Sequence, residues 1–344
     1  TYYIRQNNYP EGQANFYIAQ KVGSSIEEDN QRGLAHFLEH MCFNGTKHFP
    51  GDRLVKYCES IGVKFGQNLN AYTSTDETVY NIDGVPVSDS NIDSCLYILH
   101  DWANALLLET KDIDKERGVI HEEWRQRTTG LMRILDRQLP NLYPGSRYGY
   151  RLPIGTMEVV DNFEPQVLRD YYHKWYHTQN QAIIVVGDVD ADKMVERIKA
   201  IFSPIKAQEN PAPYEFYPVP DNDEPIYIVD KDKEVAQVMM QLDFKQEPLP
   251  MELRGTQMEI VFGYINSIIC KVVNARLSEL ALKGDCPFTQ AGVAYGNYWV
   301  SKTKSALSVS IMPKSGKDVE ALQVVMQELE RAKRFGFTAT EVLR

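Results

Sequence analysis

The chain has no CxxC pair, no closely spaced cysteines and an odd total of five (Cys42, Cys58, Cys95, Cys270, Cys286). A disulfide scaffold is therefore not expected, and a chain of 344 residues does not need one. Long hydrophobic runs are also missing. Stretches such as "AIIVVG" (182–187) are far shorter than the roughly 20 residues a membrane span requires, so no span is expected. Basic residues are in deficit, and a net charge of −10 argues against nucleic acid as the main partner. "VVGDVDADK" (185–193) follows an apolar strand pattern but has no glycine-rich loop to cradle phosphate, which excludes a nucleotide site. No secretory leader is visible. The chain opens on Thr1 rather than methionine, so that absence decides nothing about compartment.

What is present is an ordinary globular composition, 43% hydrophobic, on a length that favours two domains. "NFYIAQKV" (15–22) reads as a strand, and "EDNQRGLAHFLEHMCF" (28–43) as a helix closed by Asn44 and Gly45. Asp52 can cap a short helix that ends before Gly62, and residues 64–84 read as a meander of strands. Helices are expected over 88–108, 112–137 and 164–176, and a buried strand over 181–189 is followed by a helix over 190–202. The stretch 203–224 carries five prolines and no period, the mark of a linker. Beyond it, "PIYIVD" (225–230) and "EVAQVMMQLDF" (234–244) read as strands, ahead of a long helical region from Met251.

The expectation is an α+β fold: an antiparallel-rich sheet with helices packed on one face, repeated as two similar domains. The first domain is expected over 1–205, the linker over 206–224 and the second domain over 225–344. The repeat rests on residues 318–344, which parallel 91–117 as a long amphipathic helix, a break, a threonine and the start of another helix. On this reading the second copy is truncated and the chain is a fragment.

The chemistry concentrates in "GLAHFLEHMCFNGT" (33–46). His36 and His40 are four apart and share one helical face, the spacing that brings two imidazoles to a single cation. Glu39 lies beside them, placed to reach a water without taking a coordination position, as a general base must. The order H-x-x-E-H is the inverzincin pattern. A third ligand must come from elsewhere. In "DIDKERGVIHEEWRQR" (112–127), Glu116 and Glu123, together with Glu109 before it, recur every seven residues near one helical face. Glu123 is the expected ligand and Glu122, pointing away, the alternative; Glu116 would orient a histidine from behind. Cys42 points away from the pair. "HKWYH" (173–177) repeats the histidine spacing without an intervening glutamate and is expected to pack.

Taken together, "GLAHFLEHMCFNGTKHFPG", "NLNAYTSTDETVY" and "ERGVIHEEWR" resemble the pitrilysin/insulinase family of zinc metallopeptidases, especially its large bacterial periplasmic members. The likeness covers about residues 1–200 and is weak beyond the linker. It implies one Zn²⁺ on His36, His40 and Glu123, with Glu39 activating water and Glu116 as the supporting acid. Between His40 and Glu123 lie 82 residues, more than in many relatives, which keeps Glu122 open. The resemblance also implies that a peptide or small unfolded protein adds as an extra strand along Asn70, Ala71 and Tyr72. It implies export to a periplasm, and a C-terminal half or second subunit that closes the cavity with an arginine and a tyrosine. Those two groups are given no position in this chain. A chain without them is expected to bind zinc but cleave poorly, since losing one oxyanion donor costs about 10²–10³ in turnover. The function implied is zinc-dependent endopeptidase or oligopeptidase. The alternatives are a non-catalytic scaffold and a partner-dependent processing subunit.

Overall fold

In a computed structural model that describes residues 1–343, the chain divides into two units, 1–128 with 147–216 and 129–146 with 217–343. In chain order the elements are β1 (Tyr2–Gln6), β2 (Gln13–Gln20), α1 (Leu34–Met41), α2 (Arg53–Ser60), β3 (Leu69–Thr73), β4 (Thr78–Pro86), α3 (Asp89–Asn104) and α4 (Thr110–Arg127). There follow α5 (Gly130–Leu142), α6 (Met157–Asn162), α7 (Pro165–Trp175), β5 (Gln181–Gly187), α8 (Ala191–Phe202), β6 (Met240–Gln246) and α9 (Gln257–Ala281). The last are β7 (Phe288–Asn297), β8 (Ser305–Pro313), α10 (Asp318–Phe335) and α11 (Ala339–Leu343).

The first unit is built on a five-stranded sheet in the order β1-β5-β2-β4-β3. Only β1 and β5 run parallel; the other pairings are antiparallel. Burial alternates along the strands: Ala14, Phe16 and Ile18 on β2, Tyr80 and Ile82 on β4, and Ile183 and Val185 on β5 face inward. A single buried face follows from that period of two. Helices cover it, with α3 on β2, α1 on β3 and β4, and α8 beside α3 and β1. Ser88 caps α3 by accepting the Asn91 N–H at 3.2 Å. At the end of the sheet β4 is the one strand neighbour of β3; on its outer edge Leu69 is bridged by residues 64–66, and from Asn70 on that edge meets no strand among the described residues.

The second unit has a three-stranded antiparallel sheet, β6-β8-β7. Its core joins Val273 and Leu277 of α9 to Phe288 and Val293 of β7, Val309 and Ile311 of β8, and Ala321 and Val325 of α10. The α+β architecture in two similar domains therefore stands.

Several elements differ from the expectations. The first helix begins at Leu34 rather than near Glu28, because Gly33 takes φ 105°, outside helical space. The helix expected over 112–137 breaks after Arg127, and Thr129 starts α5 by capping the Met132 N–H. Residues 129–146 then join the second unit rather than the first: Arg133 bonds Asp232 at 2.6 Å and Glu234 at 3.0 Å. Residues 206–216 stay with the first unit, where the Tyr214 hydroxyl donates to the Asp76 carbonyl at 3.1 Å. "PIYIVD" forms no strand, and β6 starts only at Met240. Tyr227 and Val229 are almost fully exposed, so their apolar side chains have no sheet to join. Against the expectation of no span, α9 is long and apolar enough to cross a membrane by length and composition, the one such helix among the described residues. Its C-terminal half is part of the core just described.

Candidate metal centre

Helix α1 presents Leu34, Ala35, Phe37, Leu38 and Met41 to the interior. That fixes the rotation of the helix and sends His36, Glu39 and His40 toward β3 and α4. The two imidazole rings lie 4.8 Å apart at 78°. Helix α4 delivers the carboxylate. Glu123 Oε2 sits 3.5 Å from His36 Nε2 and 3.2 Å from His40 Nε2, and the three donor atoms all fall within 4.8 Å of one another. Two imidazole nitrogens and a carboxylate oxygen suit zinc, and three protein donors leave a position open for water or substrate. His40 and Glu123 keep about a fifth of their side-chain surface exposed, so the cluster is reachable from solvent. The donor set fits the metal that the sequence implies.

Two of the three donors, His40 and Glu123, are held from behind. Glu116, one heptad before Glu123 and only 6% exposed, meets His40 Nδ1 at 2.8 Å. Asn44 Nδ2 donates to the other Glu116 oxygen at 2.7 Å and to the His40 carbonyl at 3.3 Å. Arg127 binds Glu123 Oε1 at 2.8 Å, which leaves Oε2 for the histidines. His36 is less supported: its buried Nδ1 has no hydrogen-bond partner. Burial alone would lower the His40 pKa, but hydrogen bonds and charge from Glu116 and Glu123 lift it to about 9. The Glu123 carboxyl is held well below the usual range, chiefly by hydrogen bonds from His36 and His40. Such a concentration of negative charge around two imidazoles is what a divalent cation would compensate.

Glu39 does not take part in this cluster. Its Oε2 accepts the Thr73 hydroxyl at 2.5 Å, which leaves the other oxygen uncommitted. Thr73 ends β3, so a strand-edge residue and the proposed base are in direct contact. On β3 itself, Asn70 and Tyr72 are exposed, and the Tyr72 hydroxyl donates to Glu77 at 3.0 Å. The Ala71 N–H is taken by the Asn70 side-chain oxygen at 2.9 Å.

The remaining sequence candidates fall elsewhere. Glu122 pairs with Arg125 at 2.7 Å on the exposed side of α4. Glu109 pairs with Lys111 at the start of that helix. Cys42 is buried with its thiol pKa pushed up, and its carbonyl accepts the Trp102 indole N–H at 2.8 Å. His177 is buried against Gln179 and Asn180, a packing role. His48 and His100 lie 52 positions apart with no ligand spacing between them, yet both rings meet the buried Asp101, at 2.7 and 3.1 Å. Asp101 also accepts the Thr46 hydroxyl and the His48 N–H, each at 2.7 Å, so this cluster latches the loop after α1 onto α3. Sequence reasoning missed Asn44, Thr73 and Arg127. Only Asn44, four residues past His40, and Arg127, four past Glu123, carried a helical-spacing signal.

Residues 2–142 match the family described as insulinase (peptidase family M16), and residues 162–344 match the peptidase M16 inactive domain. The chain belongs to peptidase family M16. It is 32% identical to the probable zinc protease PqqL of Escherichia coli over 99% of its length, and to a zinc protease PQQL-like protein of Arabidopsis thaliana over 85%. It spans only 36% and 30% of those two proteins. The crystal structure of the first half of the periplasmic E. coli protease superposes with a TM-score of 0.86 at 30% identity, covering 99% of this chain and 72% of that one. Zinc is the metal named for these relatives, in keeping with the donor set.

Proposed function

We propose that the chain carries the zinc centre of an exported M16 endopeptidase or oligopeptidase, with His36, His40 and Glu123 as ligands. The observation that carries this reading is the convergence of three donors within 4.8 Å, His36 and His40 from one helix and Glu123 from another, with 82 residues between His40 and Glu123. When bound, the metal supplies Lewis-acid polarisation of a peptide carbonyl and of an attacking water.

The chain's own residues then divide the work. Glu116 fixes the His40 ring through Nδ1, so that Nε2 faces the cation. Arg127 steadies Glu123 by holding its second oxygen. Glu39, restrained on one oxygen by Thr73, takes a proton from water on the other and returns it to the leaving amine. A peptide or small unfolded protein pairs with the open edge of β3 along Asn70, Ala71 and Tyr72. It would exchange the local Asn70–Ala71 hydrogen bond for a strand partner. Because pairing reads backbone, selection among sequences would be broad. A further half of the protein, or a partner subunit, completes the cavity, and the compartment is periplasmic, as for the E. coli relative.

The test combines zinc content with hydrolysis of a quenched peptide by the wild type and by Glu39→Gln. One zinc per chain, with hydrolysis lost in the variant, supports the enzyme. Zinc in both and hydrolysis in neither places the missing chemistry on a partner. No zinc after supplementation overturns the reading.

A further inference from the structure

The metal-bearing helix cannot cap its own start. Its N-cap is Gly33, which has no side chain and stands at φ 105°. Replacing it with a capping serine or aspartate is blocked by more than the backbone. A Cβ on Gly33 would come within 3.2 Å of the Gly155 Cα and 3.3 Å of the Ile154 carbonyl oxygen. A Cβ on Gly155 would lie 2.3 Å from the Gly33 Cα. Gly155 has no room for a side chain, and one at Gly33 would be crowded by residues 154 and 155 and strained at its positive φ. The first amides of α1 must therefore find acceptors outside the helix, or remain buried and unpaired.

Glu27 fills that role from a separate segment. Its Oε2 accepts the Gly33 N–H at 3.0 Å and its Oε1 accepts the Ala35 N–H at 2.8 Å. The residue is fully buried. It is also clamped through its backbone: Arg151 Nε donates to the Glu27 carbonyl at 3.0 Å, and an Arg147 guanidinium N–H donates to the same oxygen. Arg151 is in turn 6% exposed, and its own carbonyl accepts the Ser24 hydroxyl at 2.5 Å. One face of Glu27 is thus locked to the segment 147–151, and the other grips the first turn of α1, immediately before His36.

We propose that Glu27 is a positioning residue for the metal centre, a remote buried cap that sets where α1 starts and so where His36 and His40 stand. Its side chain bonds backbone amides rather than a metal donor, so it acts through the helix. Burial pushes the Glu27 pKa up to about 8, against the lowering by its two N–H donors and by Arg151 and Arg32. A carboxyl kept in so unfavourable a place is consistent with a geometric duty.

This inference rests on the zinc reading above, and the experiment separates the two. Zinc affinity is measured by chelator competition on the 344-residue chain, well below its Tm, for the wild type, Glu27→Ala, Glu27→Gln and Leu96→Ala. Leu96, buried on α3, serves as a stability control. Outer-shell partners typically govern metal affinity by about 10–100-fold, and Glu27→Ala is expected to weaken zinc by about 10-fold. Glu27→Gln, which keeps one acceptor, should fall between it and the wild type. Leu96→Ala should lower Tm and leave zinc affinity unchanged. Hydrogen exchange should show lost protection at residues 33–37 in Glu27→Ala. Unchanged affinity in either Glu27 variant overturns the proposal, as does an equal loss in Leu96→Ala. Should Glu27→Ala fail to fold, Glu27→Gln decides alone. A wild type that binds no zinc overturns the metal reading instead.

Discussion

Helices α1 and α9 hold the same topological place in the two units. Each follows a strand (β2 or β6), precedes an antiparallel pair (β3–β4 or β7–β8), and is succeeded by a long amphipathic helix (α3 or α10). Their contents differ completely. Helix α1 is eight residues long and carries two histidines and a glutamate. Helix α9 runs for 25 residues and carries no histidine. All seven histidines of the chain lie between positions 36 and 177. The scaffold is thus indifferent to chemistry, which lives in a few side chains grafted onto one copy. The name of the family matched by residues 162–344, an inactive domain, agrees.

The sharpest way to break this comparison is to make the first unit resemble the second. Glu39→Gln should cut hydrolysis by about 10²–10⁴, the usual worth of a general base, while zinc stays bound. A quenched-peptide assay beside metal analysis checks both halves of that statement. Glu116→Ala should weaken zinc by about 10–100-fold, because His40 loses the acceptor that orients it. Chelator competition measures it.

Packing changes should respect the division between units. Leu277→Ala removes a fully buried side chain from the second core and should cost about 2–5 kcal/mol there, with zinc affinity unchanged. Denaturant unfolding read alongside zinc titration tests that independence.

The smallest expected effect is in pH. Glu27 has a folded-state pKa raised to about 8 from an ordinary 4.5, so the folded chain holds its proton more tightly than the unfolded one. The stability this contributes is fully present below about 4.5 and is lost as pH rises through about 8. Arg151 and Arg32 face the group as cations, and Tyr171 is its titratable neighbour. Glu27→Gln removes the titration. The stability difference between wild type and variant should therefore shrink or reverse between pH 5 and pH 8, as followed by urea midpoints across that range.

What could be read from sequence was local. H-x-x-E-H on one helical face announces itself within five residues, and the seven-residue spacing of Glu116 and Glu123 carries the same helical logic. The runs of β-branched and aromatic residues in β2 and of apolar residues in β5 made those strands visible. Contacts that depend on tertiary folding were not. Thr73 meets Glu39 from 34 residues away, and Asp101 gathers His48 with His100 although their spacing follows no ligand pattern. Nor was the break at Thr128 seen, because apolar spacing continues across it and only the Thr129 cap marks the new helix. "PIYIVD" failed for the opposite reason: its propensity is strong, but no neighbouring strand takes it up.

The most direct test of the zinc assignment is X-ray absorption at the zinc edge of the metal-loaded chain, with metal content measured in parallel. The account predicts one zinc per chain with only nitrogen and oxygen neighbours at about 2.0–2.2 Å, two of them imidazoles, and no binding in His36→Ala/His40→Ala. Sulfur in the first coordination sphere, or full zinc retention in that double variant, would contradict it.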